Sequence, residues 1–300
     1  MDMTQNKCCR HGASLRRRRR RHRKILCFII FSCSIIAVAV FVAVGSRMIT
    51  SGDGGTNRYD VEAGNNTYDN AVIENSKISE KNKIQNNQSM LDDIMNSTQY
   101  PKQLKDLALK NEEALEFVYD YPAEHVKEHT IDLTEEASMD SVPLFVQWDK
   151  RWGYEKYSGN FFAASGCGPT TLSMVVVYLT HNREASPIAV AKYSKEAGYS
   201  VDGSGSSWTL ISEGCMHYGV KAKTVALDES RMKAELDEGH PIVVNVGPGD
   251  FTDTGHFMVI TGYDDEGFSI NDPNSIEKSG KRWLFKNISS QIRAVWSMYV

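Results

Sequence analysis

The sequence predicts an α+β protein whose first half is helical, whose second half forms an antiparallel sheet, and which is preceded by one transmembrane helix. Three observations lead to this prediction. An uncharged and mostly apolar run occupies residues 25–45, helical patterns fall between residues 98 and 238, and short apolar runs separated by turns follow from residue 242. Helices that precede antiparallel strands along the chain are typical of the α+β class.

The run at residues 25–45 has the length of a membrane-spanning helix, because its 21 residues span roughly 30 Å at 1.5 Å per residue. The preceding residues, 1–24, form a basic arm with six consecutive arginines, Arg16 to Arg21. The positive-inside rule therefore predicts a single-pass protein of the cell membrane, with a cytoplasmic N-terminus and an extracellular domain. A cleaved signal peptide is the alternative, although the run is longer than the usual apolar region of about 7–15 residues.

Charge is distributed unevenly along the chain. Residues 1–50 carry eleven of the 34 Lys and Arg residues but one of the 38 Asp and Glu residues, so the remaining 250 residues have a formal net charge of −14. Proteins that bind nucleic acid need clustered Lys and Arg to neutralise phosphates. The acidic part that follows the apolar run therefore argues against a nucleic-acid partner.

Composition divides the rest of the chain into a linker and a domain. Residues 46–97 contain nine asparagines and no Phe or Trp, which predicts a disordered linker because such a segment buries too little apolar surface to offset its ordering entropy. Apolar residues recur at helical spacing from Leu104 to Val118. We therefore expect one domain at residues 98–300, with a helical lead-in at 98–125 and a core at 140–300.

The elements of the core are predicted from hydrophobic periodicity and turn residues. The helix that begins at Cys167 is apolar on almost every side, which indicates a central, buried helix. The turn at residues 264–267 predicts a hairpin between two strands. The predicted elements are a short strand at 143–147, helices at about 167–180, 187–197, 207–218 and 229–238, strands at 242–246, 256–263 and 267–271, and two further strands near Trp283 and Val295.

Cys167 is the candidate nucleophile. It stands between two glycines, and Pro169 suits the first turn of a helix. A cysteine at a helix N-terminus lies at the positive end of the helix dipole, which favours the nucleophilic thiolate. The alternative interpretation is a buried structural cysteine beside a tight turn. Cys215 follows Trp208, Leu210 and Ile211 at a spacing typical of the apolar face of a helix, and we expect it to be a small buried residue.

His256 is the candidate general base. It follows a loop rich in glycine and acid, residues 247–254, and it opens an apolar strand. A histidine held at a loop-to-strand junction suits a base that works near neutral pH. After the hairpin, Asn271 or Asp272 returns near His256 and can accept the imidazole N–H. Residues of a strand alternate between its two faces, so one of the two points at the ring, and periodicity does not choose between them.

A thiolate that attacks a carbonyl also needs hydrogen-bond donors for the developing oxyanion. The backbone N–H of Cys167 is one candidate. The side-chain amide of Gln147 is a second, because it ends the predicted strand just before the nucleophile segment; the alternative is an ordinary surface glutamine. Cys167, His256 and Asp272 are widely separated in the sequence and do not form a close ligand pair of the kind that zinc sites use. We therefore expect no metal and no cofactor.

Four blocks of the sequence together resemble the C39-like peptidase family, whose members have the papain-like cysteine peptidase fold. The resemblance covers about residues 140–300, and the blocks are Val142 to Gln147, Ala164 to Thr171, Gly255 to Tyr263 and Asn271 to Pro273. It implies that Cys167 is the nucleophile, that His256 is the base and that Asp272 orients the imidazole, and it favours Gln147 for the oxyanion hole. The chain departs from papain itself, which has a glutamine six residues before the cysteine, where this sequence has Phe161.

Classical C39 peptidases are fused to export transporters and cut leader peptides after paired glycines. This sequence has no nucleotide-binding motif, so that substrate class is not carried over. The resemblance implies a thiol peptidase that hydrolyses a peptide or isopeptide bond through an acyl-thioenzyme, and the apolar run at 25–45 predicts that it acts outside the cell. A cell-wall amidase or endopeptidase, and a non-catalytic peptide-binding module, remain as alternatives. The expected partners are a peptide or cell-wall peptide substrate and the membrane; the sequence does not determine the oligomeric state.

Overall fold

The computed structural model describes residues 66–300, and within its first helix it describes side chains from Ser79. The basic arm, the apolar run at 25–45 and the first part of the linker lie outside the described residues. Among the residues that the structure does describe, no helix has both the length and the apolar composition needed to cross a bilayer. The transmembrane helix therefore stays a prediction.

The described residues form an α+β structure with an antiparallel sheet, as predicted. The helices are α1 (Asn66–Asn96), α2 (Lys102–Lys110), α3 (Leu115–Tyr119), α4 (Tyr121–Glu124), α5 (Thr134–Ser138), α6 (Phe162–Ser165), α7 (Cys167–Thr180), α8 (Pro187–Glu196), α9 (Thr209–Ser212), α10 (Glu229–Asp237), α11 (Ile276–Ser279) and α12 (Phe285–Ile288). Short 3-10 turns lie at Glu112–Ala114, Gly214–Tyr218 and Ser289–Gln291.

The sheet lies mainly in the second half of the chain. The strands are β1 (Lys156–Tyr157), β2 (Asn160–Phe161), β3 (Ser200–Val201), β4 (Gly205–Ser206), β5 (Lys221–Thr224), β6 (Ile242–Val246), β7 (His256–Asp264), β8 (Gly267–Asn271), β9 (Arg282–Trp283) and β10 (Ile292–Tyr299). Six of them form one antiparallel sheet in the order β5-β10-β6-β7-β8-β9, while β1–β2 and β3–β4 are separate two-stranded pairs. The predicted hairpin between β7 and β8 is present.

The core has one apolar cluster on each face of this sheet. Every residue of α7 from Gly168 to Val177 is buried, which confirms the prediction of a central helix, and Thr171 Oγ1 donates to the carbonyl oxygen of Phe257 on β7 at 3.1 Å. Alternate residues of β6 and β7 contribute to the two clusters. Since burial of one such side chain stabilises the fold by about 1.5–3 kcal/mol, this packing holds α7 firmly against the sheet.

Residues 143–147 differ from the predicted strand. The structure has no strand there, although the backbone N–H of Gln147 donates to the carbonyl oxygen of Pro273 at 2.7 Å. Pro143 has no N–H to donate, and the side chain of Asn271 binds the carbonyl oxygens of Val142 and Pro143. A regular ladder therefore does not form.

Other elements also differ from the prediction, among them the short strands β1 to β4, which were not predicted. The single helix expected at 207–218 is divided into α9 and a 3-10 turn. The division falls at Gly214, and glycine is a weak helix former. Gly214 also packs tightly, since a Cβ atom added to it would lie 3.0 Å from the ring of Tyr199. Strand β5 was not predicted. Its Lys-Ala-Lys-Thr sequence is polar and mostly exposed at the edge of the sheet, so it lacks the alternation that marks a strand.

Part of the predicted linker is helical. Residues 66–96 of the segment 46–97 form α1, and the C-terminal end of this helix buries Met90 and Ile94 in a cluster with Leu104 of α2. Met90 and Ile94 lie four residues apart, on one face of the helix, and pack against Leu104. This local contact stabilises the end of α1, although the average composition of the segment is polar. Residues 74–300 form one compact unit that includes the lead-in.

Candidate active site

Cys167 is the first residue of α7 and is half-buried. Its neighbouring glycines are required by packing. A Cβ atom on Gly166 would lie 2.6 Å from the ring of Phe162, and one on Gly168 would lie 2.5 Å from Ser206 Oγ. The two glycines thus let the start of the helix approach its neighbours closely, with the thiol at the helix N-terminus.

His256 is buried at the first position of β7, where it pairs with Val246 of β6. Its Nε2 atom donates to Oδ1 of Asp272 at 2.7 Å, and the thiol of Cys167 lies close enough to the imidazole for each group to shift the pKa of the other. Since Nε2 is engaged by the carboxylate, Nδ1 is the ring nitrogen that faces the thiol. The imidazole of His256 therefore has the carboxylate of Asp272 on one side and the thiol of Cys167 nearby.

Asp272 is fully buried just after β8. Its Oδ1 atom also accepts the backbone N–H of Asn274 at 2.8 Å, and its own N–H donates to Ser279 Oγ at 2.9 Å. Asn271 points the other way: its Nδ2 atom lies 3.1 Å and 3.0 Å from the carbonyl oxygens of Val142 and Pro143. Of the two candidates that the sequence left open, Asp272 is the one beside the imidazole.

The electrostatics of this group favour an ion pair. Burial raises the pKa of the Cys167 thiol. The opposing effect of His256, helped by the backbone N–H groups of Phe257 and Gly168, is larger, so the pKa lies below the ordinary thiol value. Burial lowers the pKa of His256, but the charge and hydrogen bond of Asp272 and the thiolate of Cys167 raise it to about 10. Both shifts favour a thiolate beside an imidazolium.

Gln147 is buried, so it is not an ordinary surface glutamine. Its Nε2 atom donates to the carbonyl oxygen of Ala163 at 2.7 Å, while its Oε1 atom has no hydrogen-bond partner among the described residues. An amide nitrogen carries two hydrogens, so one remains after the bond to Ala163. The side chain lines the same cleft as Cys167 and His256, as an oxyanion donor must.

The cleft that contains these side chains has a volume of about 500 Å³. Residues of α2 and of the loop at 249–255 form two of its walls. The side chain of Gln291 stabilises this loop by donating to Asp250 Oδ2 at 2.6 Å. The lining residues are Gln103, Asp106, Leu107, Lys110, Asn111, Gln147, Asn160, Ala164, Cys167, Gly249 to His256, Asn274 and Lys278. A second cavity of about 380 Å³, lined by residues of 124–131, residues of 150–155 and Ile188, contains none of the predicted site residues.

A model of the Peptidase_C39 like family matches residues 139–300, which is more than half of the chain. The chain belongs to the Peptidase_C39 like family. The match begins after the lead-in, so α1 and α2 lie outside it. Membership indicates a peptidase of the cysteine type and agrees with the resemblance that the four sequence blocks carry.

Two solved structures resemble parts of this C39-like protein. One is the peptidase domain of Streptococcus ComA, a bi-functional ABC transporter involved in quorum sensing, at 19% identity and a TM-score of 0.38, over 53% of this chain and 96% of that one. The other is a putative C39-like peptidase from Bacillus anthracis, at 17% identity and a TM-score of 0.33, over 53% of this chain and 95% of that one. No curated protein matches the chain.

The other cysteine that the structure of this C39-like protein describes, Cys215, is not part of the site. Cys215 is fully buried and unpaired, as the sequence predicts, and burial raises its pKa to about 11. Within residues 66–300, no group of three or more His, Cys, Asp or Glu side chains is placed to hold a metal ion.

Sequence reasoning missed the contribution of the lead-in to the cleft. Asp106, Lys110 and Asn111 line it from α2 and the residue after it, although they are more than 50 residues before Cys167. It also missed Asn160, which lines the cleft from β2. No local signal marks these residues, because polar side chains on a helix face or in a turn are ordinarily solvated.

Proposed function

We propose that the protein is a membrane-anchored, extracellular thiol peptidase that hydrolyses a peptide or isopeptide bond through an acyl-thioenzyme. The observation that carries the proposal is the 2.7 Å contact between His256 Nε2 and Asp272 Oδ1, beside the thiol of Cys167, which lines the same cleft and raises the pKa of His256. This is the geometry that a nucleophile, a base and an orienting carboxylate require.

In the first half of the reaction, the thiolate of Cys167 attacks the substrate carbonyl carbon, and the electron pair of the C=O bond moves to oxygen. The backbone N–H of Cys167 is one of the first N–H groups of α7, which have no acceptor within the helix, and it is free to stabilise the oxyanion with the amide of Gln147. When the intermediate collapses, the C–N bond breaks, and the leaving amine takes the proton from Nδ1 of His256.

In the second half, water attacks the thioester and transfers a proton to Nδ1 of His256. The second intermediate collapses with cleavage of the C–S bond, which releases the carboxylic acid and restores the thiolate. Asp272 transfers no proton in either half, because its role is to hold the ring tautomer and to stabilise the imidazolium. No cofactor or metal is needed for any of these steps.

The location of this chemistry is part of the proposal. The apolar run at 25–45 and the basic arm before it support a single-pass anchor with the N-terminus in the cytoplasm. The residues after the run would then lie outside the cell, together with the cleft. Cleavage of an externally added, membrane-impermeant peptide by intact cells would support this orientation, and cleavage only after lysis would contradict it.

The activity is tested by a cleavage screen with the full chain in detergent. Wild-type protein and the Cys167→Ala variant are compared on a peptide library and on cell-wall peptide fragments, and products are identified by mass spectrometry. The matched control is Cys215→Ala, which removes the other cysteine of the domain. We expect cleavage by wild type and by Cys215→Ala, and none by Cys167→Ala. Equal product from wild type and Cys167→Ala would refute the proposal and favour a binding module.

The class of substrate is read from the same screen. Cleavage of ordinary peptides identifies a peptidase, whereas cleavage confined to cell-wall fragments identifies an amidase or endopeptidase of the wall. The two outcomes share one mechanism, because the thiolate attacks an amide carbonyl in both.

A further inference from the structure

The lead-in contacts the loop that carries Asp272, although it precedes the family match. We define the Asp272 loop as residues 272–279. The side-chain amide of Asn111 donates to the carbonyl oxygen of Asn274 at 2.9 Å and contacts its Oδ1 atom at 3.1 Å. The carboxylate of Glu113 accepts the hydroxyl of Ser275.

Glu113 also binds the start of α11. Its Oε2 atom accepts the backbone N–H groups of Ile276 at 2.7 Å and of Glu277 at 3.0 Å. The first N–H groups of a helix have no acceptor within it, and a carboxylate there is favoured by charge-assisted hydrogen bonds. Glu113 therefore stabilises the first turn of α11, although it lies more than 160 residues earlier in the chain.

These contacts continue to the imidazole. The backbone N–H of Asn274 donates to the same Asp272 oxygen that His256 binds. The carbonyl oxygen of Asn274 is held from the other side by Asn111 and by Trp148 Nε1, at 3.2 Å. A displacement of Asn274 would therefore move the carboxylate that orients His256.

The same segment forms a wall of the cleft. Gln103, Asp106 and Lys110 of α2 line it together with Asn111, and α2 is held in the fold by Leu104 and Leu107 in the apolar cluster that also contains Ala163. The lead-in thus lines the cleft and also contacts the Asp272 loop.

We infer that Asn111 and Glu113 are positioning residues of the active site: they hold the Asp272 loop so that Asp272 orients His256. The functional unit of this protein then begins at α2, near residue 102, and not at residue 139 where the family match begins. This inference rests on the proposed function, because it concerns the geometry of the same three side chains.

The first test uses the full chain and the variant Glu113→Gln, which keeps the size of the side chain and removes its charge. The rate of alkylation of Cys167 by iodoacetamide is measured from pH 4 to pH 10, and the peptide that contains Cys167 is quantified by mass spectrometry. We expect the acid limb of the profile to move to higher pH and the rate at pH 6 to fall about tenfold. With a peptide substrate, we expect a similar fall in kcat and little change in KM.

The matched control is Glu116→Gln. It makes the same chemical change three residues later, at an exposed position that does not touch the Asp272 loop, and we expect wild-type profiles. Ser275→Ala removes a partner of Glu113 from the other side and serves as a second variant if Glu113→Gln does not fold, which circular dichroism reveals. When both fold, a double-mutant cycle is expected to show that their effects on kcat are not additive.

The outcomes separate this inference from the proposed function. If wild-type Cys167 is alkylated like an ordinary thiol, the proposed function and this inference fail together. If the wild-type profile has a low acid limb and the Glu113→Gln and Ser275→Ala variants reproduce it with unchanged kcat, the inference alone is wrong. A shift confined to these two variants, and absent from Glu116→Gln, supports it.

Discussion

Asn271 and Asp272 are adjacent in the chain, but their side chains bind partners on opposite sides of the end of β8. Asn271 donates to the carbonyl oxygens of Val142 and Pro143, whereas Asp272 accepts from His256. Successive residues of a strand face opposite ways. One residue therefore anchors the segment that leads to Gln147, and the other orients the imidazole.

Replacement of Asp272 is expected to impair catalysis far more than replacement of Asn271. Asp272→Asn should lower kcat by about 10²–10⁴-fold, because an amide neither stabilises the imidazolium nor keeps the ring tautomer. Asn271→Ala should lower the melting temperature and retain most of kcat. Steady-state kinetics and thermal unfolding measure these quantities, and an equal loss of kcat in the two variants would contradict the assignment.

Cys167 is expected to react with iodoacetamide much faster than Cys215 at pH 7. The pKa of Cys167 is lowered, chiefly by His256 against the opposing effect of burial, while burial raises the pKa of Cys215 to about 11. Only the thiolate is nucleophilic, so at least a tenfold difference in rate is expected at roughly neutral pH. Peptide mass spectrometry measures each site, and labelling in denaturant, where the two rates should converge, is the control.

The pH dependence of kcat/KM is expected to be bell-shaped. The acid limb reports formation of the thiolate, whose pKa lies below the ordinary value, and activity rises as the pH passes that pKa. The alkaline limb reports loss of the imidazolium proton, because the leaving amine needs it, and the pKa of His256 is raised to about 10. A single ascending limb near the ordinary thiol pKa of about 8.5 would show that no ion pair forms.

Gln147→Ala tests the oxyanion donor separately from the nucleophile. Loss of one donor to a developing oxyanion lowers kcat by about 10²–10³-fold. Alkylation of Cys167 by iodoacetamide is a displacement at a saturated carbon and forms no oxyanion, so its rate should stay within about twofold of wild type. Parallel losses in both assays would indicate instead that Gln147 supports the position of the thiol through its bond to Ala163.

Glu235 is expected to contribute to stability in a pH-dependent way. Its carboxylate binds Lys223 at 2.9 Å, Ser297 at 2.7 Å and His240 at 3.1 Å. The hydrogen bond with Lys223 is the main reason that its pKa is lowered from 4.5 to about 2. Because the pKa in the folded state is depressed, this stabilisation is present above pH 4.5 and is lost as the pH falls toward 2.

The variant Glu235→Gln should lower the free energy of unfolding at pH 7 by about 1 kcal/mol, since its contacts are partly solvated. The difference from wild type should shrink between pH 4.5 and pH 2. Denaturant unfolding at several pH values measures it, and a difference that does not change with pH would mean that the charge of Glu235 is not responsible.

Several elements followed from local patterns and agree with the structure. Helix α7 was predicted from a continuous apolar run, and strands β6 to β8 from apolar runs bounded by turn residues. The segment at 207–218 was predicted less well, because the tight packing of Gly214 against Tyr199 interrupts the helix. Helix α1 was missed because its buried residues are few and lie at one end.

The sequence by itself located the candidate nucleophile, Cys167, and the candidate base, His256. A cysteine between glycines at a helix start, and a histidine that opens an apolar strand, are local features, so periods of 3.6 and 2 residues locate them. The tertiary structure alone decided which of Asn271 and Asp272 meets the imidazole, and that Glu113 fastens the loop behind it. Contacts between residues 162 positions apart depend on how whole elements pack, and no local pattern of residues encodes that packing.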